Sequence, residues 1–230
     1  NCRNMLLDCL KDIKHNHAFN LLSESDAAIL DKNKKTLFYK KNDIILKQGT
    51  IANSIVFSKT GFFKLGMEGN QKNIILILKG NQTFLGLSSL FCEEKVYLYT
   101  VTATEDCEVD IYDNASFKEV LNRNVAFSNE IIKFLNHNSS RIFKRFMNMM
   151  EKNSRGKVAF MLVCMANSVY FNNEYTMSLS RQDMADFLGL SMENVIRIIK
   201  ELENDGLIEV NGKSIKLLNL NSLHKVCEFG

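Results

Sequence analysis

Apolar positions come in short runs along the first half of the chain and recur at helical spacing along the second. Between about Thr36 and Tyr112 the runs Asp43 to Leu46, Ser54 to Phe57, Phe62 to Leu65, Ile74 to Leu78 and Val96 to Thr102 are rich in β-branched and aromatic residues. Turn-forming residues bound them, which predicts strands. Six of the eleven glycines fall in this stretch (Gly49, Gly61, Gly66, Gly69, Gly80 and Gly86), and Gly69-Asn70 between apolar runs predicts a hairpin turn. Several short strands at this spacing predict a sandwich or rolled barrel.

The period changes near Asn114. The segment NASFKEVL predicts a short capped helix, and a longer helical pattern runs from about Val125 to Met150. Ile131, Leu135, Asn138, Ile142, Phe146 and Met149 recur at steps of four, three, four, four and three, so they share one stripe. At the rise of an α-helix it would run roughly 35 to 40 Å. Two readings stay open: the stripe packs on the strands, or it is a dimer seam with Asn138 as its one polar register-setter. Ser154-Arg155-Gly156-Lys157 breaks the pattern, and KVAFMLVCMANSVYF opens another apolar helix.

The segment from Leu179 to Val210 carries the densest local signals. Ser180 can cap a helix with Asp183 three residues on, and Met184, Ala185, Phe187 and Leu188 give that helix an apolar face. Gly189 permits a left-handed turn. Ser191 can cap a second helix whose buried face is Val195, Ile198, Ile199 and Leu202, and Gly206 ends it. Two helices joined by so few residues predict a helix-turn-helix. Asn211-Gly212, between the β-prone Leu207 to Val210 and Lys213 to Leu218, predicts a hairpin wing beside it.

Such an element holds one helix over a DNA backbone while the next enters the major groove. Met192, Glu193, Ile196 and Arg197 lie near the start of the second helix, away from its buried face. Arg197 can donate two bonds to guanine, Glu193 can accept from cytosine, and Ile196 can meet a thymine methyl. Asn194 and Lys200 on the same helix join this DNA-facing set. Ser180, Arg181, Gln182 and Ser191 stand at helix starts, where phosphate can bind. The plainer alternatives are a Glu193–Arg197 surface pair and simple capping by the serines.

Composition tempers this picture. With 46% hydrophobic and 24% charged residues the chain is globular, and it carries no signal pattern and no apolar run of transmembrane length, which leads us to expect a cytoplasmic protein. The net charge of +3 names no partner. From Leu179 to Gly230 six basic residues face eight acidic ones, so the case for DNA rests on geometry rather than bulk charge. Cys2, Cys9, Cys92, Cys107, Cys164 and Cys227 are scattered and read as reduced thiols.

Taken together, the chain resembles the Crp/Fnr family of bacterial transcription regulators over nearly its whole length. LSRQDMADFLGLSMENVIRIIKELENDGLI is similar to the family's DNA-binding signature, with Glu193 and Arg197 at its two base-reading positions; SRGKVAFMLVCMA resembles the helix after the hinge. QGTIANSIVFSKTGFFKL and FLGLSSLF…TVTATEDCEVDIYD resemble the family's β-roll. The resemblance implies an α+β chain: a jelly-roll, cyclic-nucleotide-binding-like effector domain over 1–124, a dimerisation helix and hinge over 125–153, and a winged helix-turn-helix over 154–230. It further implies a homodimer on a pseudo-palindromic operator in double-stranded DNA, with RNA polymerase as a further partner and no enzymatic activity. The expected effector pocket is Phe84, Gly86, Leu87, Ser88, Ser89, Tyr97, Tyr99, Ile142 and Phe143.

Departures from the family pattern bear on the effector. Nucleotide-binding members carry Gly-Glu and a later Arg-Ser pair; here Leu87 follows Gly86, the second region reads Val96-Tyr97-Leu98-Tyr99, and no Lys or Arg occurs from Val96 through Phe117. A phosphate there would lack its charged partner, so cAMP is not the expected effector. The base-reading pair on the long helix is replaced by Ile142 and Phe143. Another branch of the family holds an iron–sulfur cluster on grouped N-terminal cysteines plus a β-roll cysteine. Cys2 and Cys9 with Cys92 or Cys107 form only a thin version of that set, and idle thiols are the default. His15 and His17 are expected at the surface rather than on a metal. Three function classes compete at this point: a DNA-binding regulator, redox-sensing or not; a ligand-binding signalling module that does not touch DNA; and an enzyme. For the last, the chain has no nucleophile–base pair, phosphate loop, dinucleotide fingerprint or zinc spacing.

Overall fold

The computed structural model describes residues 16–70 and 72–229. Among these, 16–70 and 78–139 form one compact unit, and 72–77 and 140–229 form a second.

A 3-10 turn (Asn16–Leu21) and helix α1 (Glu24–Asp31) precede strands β1 (Lys35–Tyr39), β2 (Ile44–Leu46), β3 (Ser54–Ser58), β4 (Phe63–Glu68), β5 (Asn73–Lys79, of which 73–77 count with the second unit), β6 (Thr83–Leu85), β7 (Thr100–Ala103) and β8 (Cys107–Asp113). Two sheets, ordered β1-β8-β3-β6 and β2-β7-β4-β5, give the jelly-roll-like arrangement expected from the sequence. Strand β3 is antiparallel to both β6 and β8. It does not alternate: Ile55, Val56 and Phe57 are all buried, because β3 lies inside its sheet and both of its faces are covered. Gly61, at φ +102°, makes a turn that no other residue fits, since a Cβ there would overlap Cβ of Cys107.

Helices α2 (Asn114–Arg123) and α3 (Val125–Glu151) follow. Asp113 caps α2 by accepting from the Ser116 N–H at 2.8 Å. Asn124 caps α3 by accepting from the Phe127 N–H at 2.9 Å, while its amide donates to the Leu21 carbonyl and to Asp26. The start of α3 then closes an aromatic core. Phe84 meets Phe57, Phe117 and Phe134 edge to face at 5.0, 5.9 and 5.8 Å, and Phe127 and Ile131 are buried beside them. Each such ring contributes roughly 1.5 to 3 kcal/mol by burial.

The long helix therefore faces inward with part of the stripe expected at a dimer seam. Ile131 is buried in the core and Leu135 packs against it. Asn138 accepts from Lys79 Nζ at 2.6 Å, and Lys79 is 2% exposed with its ammonium 4.8 Å over the Phe134 ring. The Asn138 oxygen thus stabilises a buried cation of its own chain, a contact that its helical spacing did not announce. Ile142 and Met149 are half-buried and Phe146 is exposed. Further α3 side chains left exposed include Ile132, Asn136, Ser139, Phe143 and Met150, which with Phe146 step by four, three, four, three and four.

In the second unit, Asn153 caps α4 (Ser154–Met165) by accepting from the N–H groups of Arg155 and Gly156. From Val158 to Met165 every residue of α4 is buried, as befits a helix surrounded by others. A widened turn (Ala166–Tyr170) ends it where the sequence pattern predicts continuation. Around it stand β9 (Glu174–Thr176), α5 (Arg181–Leu188), α6 (Met192–Asn204), β10 (Ile208–Asn211), β11 (Ser214–Leu217) and α7 (Leu220–Phe229). The last, unforeseen from the sequence, buries Leu223 and Cys227.

The division between the units falls inside α3, not at residues 125 and 154 as the boundaries expected from the sequence had it. The first half of that helix belongs to the aromatic core, so packing assigns it to the strands.

Candidate functional site

Helices α5 and α6 are set by local chemistry. Ser180 Oγ accepts from the Asp183 N–H at 3.0 Å, and Asp183 Oδ2 accepts from the Ser180 N–H at 2.9 Å and from its hydroxyl at 2.7 Å. This is a complete capping box. Ser180→Ala should cost about 1 kcal/mol of stability, read from the denaturant midpoint, with far-UV circular dichroism otherwise unchanged. Gly189 adopts φ +66° at the end of α5, and Ser191 caps α6 by accepting from the Asn194 N–H at 3.2 Å. Only residues 189–191 separate the helices.

On α6, Val195, Ile198, Ile199 and Leu202 are buried. The opposite strip, Met192, Glu193, Ile196, Arg197 and Lys200, is exposed. Arg197 does not pair with Glu193. Its guanidinium lies against Glu201 and donates to Asn194 Oδ1 at 2.7 Å, because a partner one turn onward is equally near. Asn194 is half-buried and bridges the two sides: its amide donates to Ser154 Oγ at 3.4 Å while its oxygen accepts from Arg197.

Arg181 is also drawn inward. It is half-buried, with Nη1 3.3 Å from Met184 Sδ and Nη2 3.5 Å from the Gly212 carbonyl, and burial lowers its pKa from the usual guanidinium value. It ties α5 to the wing. Gln182 donates to Asp186 at 2.7 Å on the surface of α5. Arg145 on α3 donates to the Phe187 carbonyl with its guanidinium 4.2 Å over that ring, fixing the end of α5 to the long helix.

The wing is β10 and β11, antiparallel, with β9 alongside. Asn211 pairs with Ser214, so the turn residues are Gly212 and Lys213, and Gly212 takes φ +60°. The sequence signal Asn211-Gly212 thus sits one residue early, since this turn needs its glycine at the first central position. Lys213 at the tip is exposed, a cation the sequence reading did not single out. The acidic excess of this region gathers elsewhere. Glu201, Glu203 and Asp205 cluster at the far end of α6, where Asp205 pairs with Arg155 and Glu203 accepts from the Val210 N–H at 3.0 Å. These carboxylates are engaged with groups of the chain itself, Glu201 with Arg197 among them.

In the first unit, the residues expected to line an effector pocket divide. Phe84 and Leu87 belong to the aromatic core. Gly86, at φ +88°, leads into a turn over Leu87–Ser89. Tyr99 OH accepts from the Gly86 N–H at 3.2 Å and from the Ser88 hydroxyl at 3.1 Å. Tyr97 is buried and donates to the Ser54 carbonyl at 2.9 Å, and Ser89 Oγ accepts from the Leu98 N–H at 3.2 Å. Val96 and Tyr97 pair only as an isolated bridge with residues 49–51, and the strand predicted from Val96 begins at Thr100. Ile142 and Phe143 lie in the second unit's part of α3.

Residues 36–124 match the cyclic nucleotide-binding domain family, and residues 156–226 match the Crp-like helix-turn-helix domain family. The chain belongs to the Crp/Fnr family of transcription regulators. Like its relatives, this regulator joins an effector-type domain to a DNA-binding one. It is 22% identical over 177 residues to the anaerobic regulatory protein of Bacillus subtilis, spanning 75% of this chain and 74% of that one. It is 23% identical over 216 residues to the transcriptional activator FnrL of Cereibacter sphaeroides, spanning 90% and 84%. In fold it is similar to a Crp/Fnr-family regulator from Eubacterium rectale, with a TM-score of 0.80 at 17% identity, covering 94% of this chain and all of that one.

For a metal, Cys2, Cys9 and His15 lie outside the described residues. Cys92 contacts Glu94 at 2.9 Å, which raises its thiol pKa, Cys107 is buried in β8, and His17 is bonded to Glu130 at 3.0 Å. Among the described residues no three His, Cys, Asp or Glu side chains gather as a metal site, and no helix is long and apolar enough to cross a membrane.

Proposed function

We propose that this regulator works as a cytoplasmic homodimer on a pseudo-palindromic operator, performing no chemistry of its own. The observation that carries the reading is the face of α6: Met192, Glu193, Ile196 and Arg197 are exposed side by side behind a tight turn, next to a wing tipped by Lys213. Reading residues at the start of a helix are what a major groove admits. The α3 series Ile132, Asn136, Ser139, Phe143, Phe146 and Met150 keeps the alternating three-and-four spacing of a two-helix seam, so a second copy is the partner it fits. Pairing two copies would place two α6 helices roughly 10 base pairs apart or a multiple of it. RNA polymerase is the further partner such a dimer would address.

Mobility shift with an operator selected from random duplexes tests this. Inverting one half-site should weaken binding at least about tenfold, since each mismatched pair costs about 1 to 3 kcal/mol. Equal affinity for both arrangements would overturn the proposal. Micromolar cAMP should leave operator affinity unaltered, because no Lys or Arg stands between Val96 and Phe117 to pair with its phosphate; a large stimulation in the same assay would contradict this.

A further inference from the structure

The turn where an effector's anionic group would be expected already holds an oxygen of the chain itself. The Gly86 N–H and the Ser88 hydroxyl converge on the phenol of Tyr99 at 3.2 and 3.1 Å. An amide and a hydroxyl aimed at one point are the donors that a phosphate or carboxylate oxygen would take. The phenol is not there by chance of a loose loop. Tyr97, two residues earlier, is buried and bonded to Ser54 through its backbone N–H at 3.3 Å, its hydroxyl at 3.0 Å and its carbonyl at 2.9 Å. A Cβ at Gly86 would lie 3.4 Å from the Tyr97 ring and 3.1 Å from Leu46, so the glycine gives way to that ring. Leu98 donates its N–H to Ser89 between the two tyrosines. Leu98 and Tyr99 are thus stitched to the turn, and Tyr97 to β3, by hydrogen bonds between neutral groups.

We propose that Tyr99 is a built-in occupant of this cradle, a specificity residue that excludes anionic effectors and keeps the turn in one shape without a small molecule. The inference rests on the regulator reading only in taking the β-roll as the effector domain. Burial raises the pKa of Tyr99, so its phenol stays neutral at physiological pH and adds no charge to the site. Tyr99 remains half-buried rather than sealed, so a competing oxygen in solution can reach the same donors. Exclusion is then a matter of competition: an anion must displace an intramolecular acceptor that is always present, and no Lys or Arg from Val96 through Phe117 stands by to reward it.

Hydrogen exchange at the Gly86 amide of the full-length chain tests the inference. In the wild type, sodium phosphate or cAMP at millimolar concentration should leave the exchange rate unchanged. Tyr99→Phe, which keeps the ring and removes the acceptor, should speed exchange about fivefold. Ser88→Ala serves if that variant fails to fold: it removes the second donor and should speed exchange about twofold by loosening the phenol. Slowed exchange in the wild type on adding either anion would overturn the proposal, as would unchanged exchange in a folded Tyr99→Phe. Operator affinity is measured separately on the wild type, so a failure of DNA binding would strike the regulator reading while leaving the exchange result to judge the plug.

Discussion

Replacing Phe143 and Phe146 together by aspartate should dissociate the dimer and lower operator affinity by at least about 100-fold. The two rings are 69% and 61% exposed in the single chain, unusually bare for phenylalanines on a helix. Covered by a second copy, each ring would contribute roughly 1.5 to 3 kcal/mol, and a carboxylate in its place would add a desolvation cost. A monomer could then engage one half-site at a time. Native mass spectrometry and mobility shift together read the outcome, with circular dichroism confirming that the variant folds. A dimer that persists at micromolar concentration with its operator affinity intact would remove α3 from the interface.

Arg197→Ala should cost about 1 to 3 kcal/mol at one guanine of each half-site and abolish discrimination there, while changing affinity little for operators already altered at that position. The side chain is 61% exposed but is tied to Glu201 and Asn194, so contact with a base requires an exchange of partners. Surface pairs of this kind hold by less than about 1 kcal/mol, which a bidentate bond to guanine exceeds. Glu201→Gln weakens the competing pair and should leave the preference in place. A series of operators with single substitutions measures both variants. Identical sequence preference in the wild type and Arg197→Ala would assign base reading to other residues.

The contacts that the sequence reading did not foresee share one property. Asn138 meets Lys79, Tyr99 meets Gly86, and Arg181 meets the Gly212 carbonyl, pairs whose members stand 59, 13 and 31 positions apart. Periodicity says which side chains share a helix face but not what waits opposite. On α3 two adjacent stripes are both apolar enough to serve as a seam. The pattern Ile131, Leu135, Asn138 and the pattern Ile132, Asn136, Ser139 differ by one residue, about 100° around the helix axis. The aromatic core takes up the first of them, because Phe57, Phe84 and Phe117 occupy the side to which Ile131 and Phe134 turn.

What the chain's order of residues determined on its own is the DNA-binding half and the class of the other: the caps at Ser180 and Ser191, the left-handed glycine at position 189, the hairpin glycine at 212 and the strand-like runs all act through neighbours within a few positions. Only the tertiary structure decided which way α3 faces, where the acidic residues of the last segment gather, and that a tyrosine fills the turn at Gly86. Those outcomes depend on distant groups competing for the same donors and the same apolar surface, and such competition is resolved only once the sheets and helices have packed.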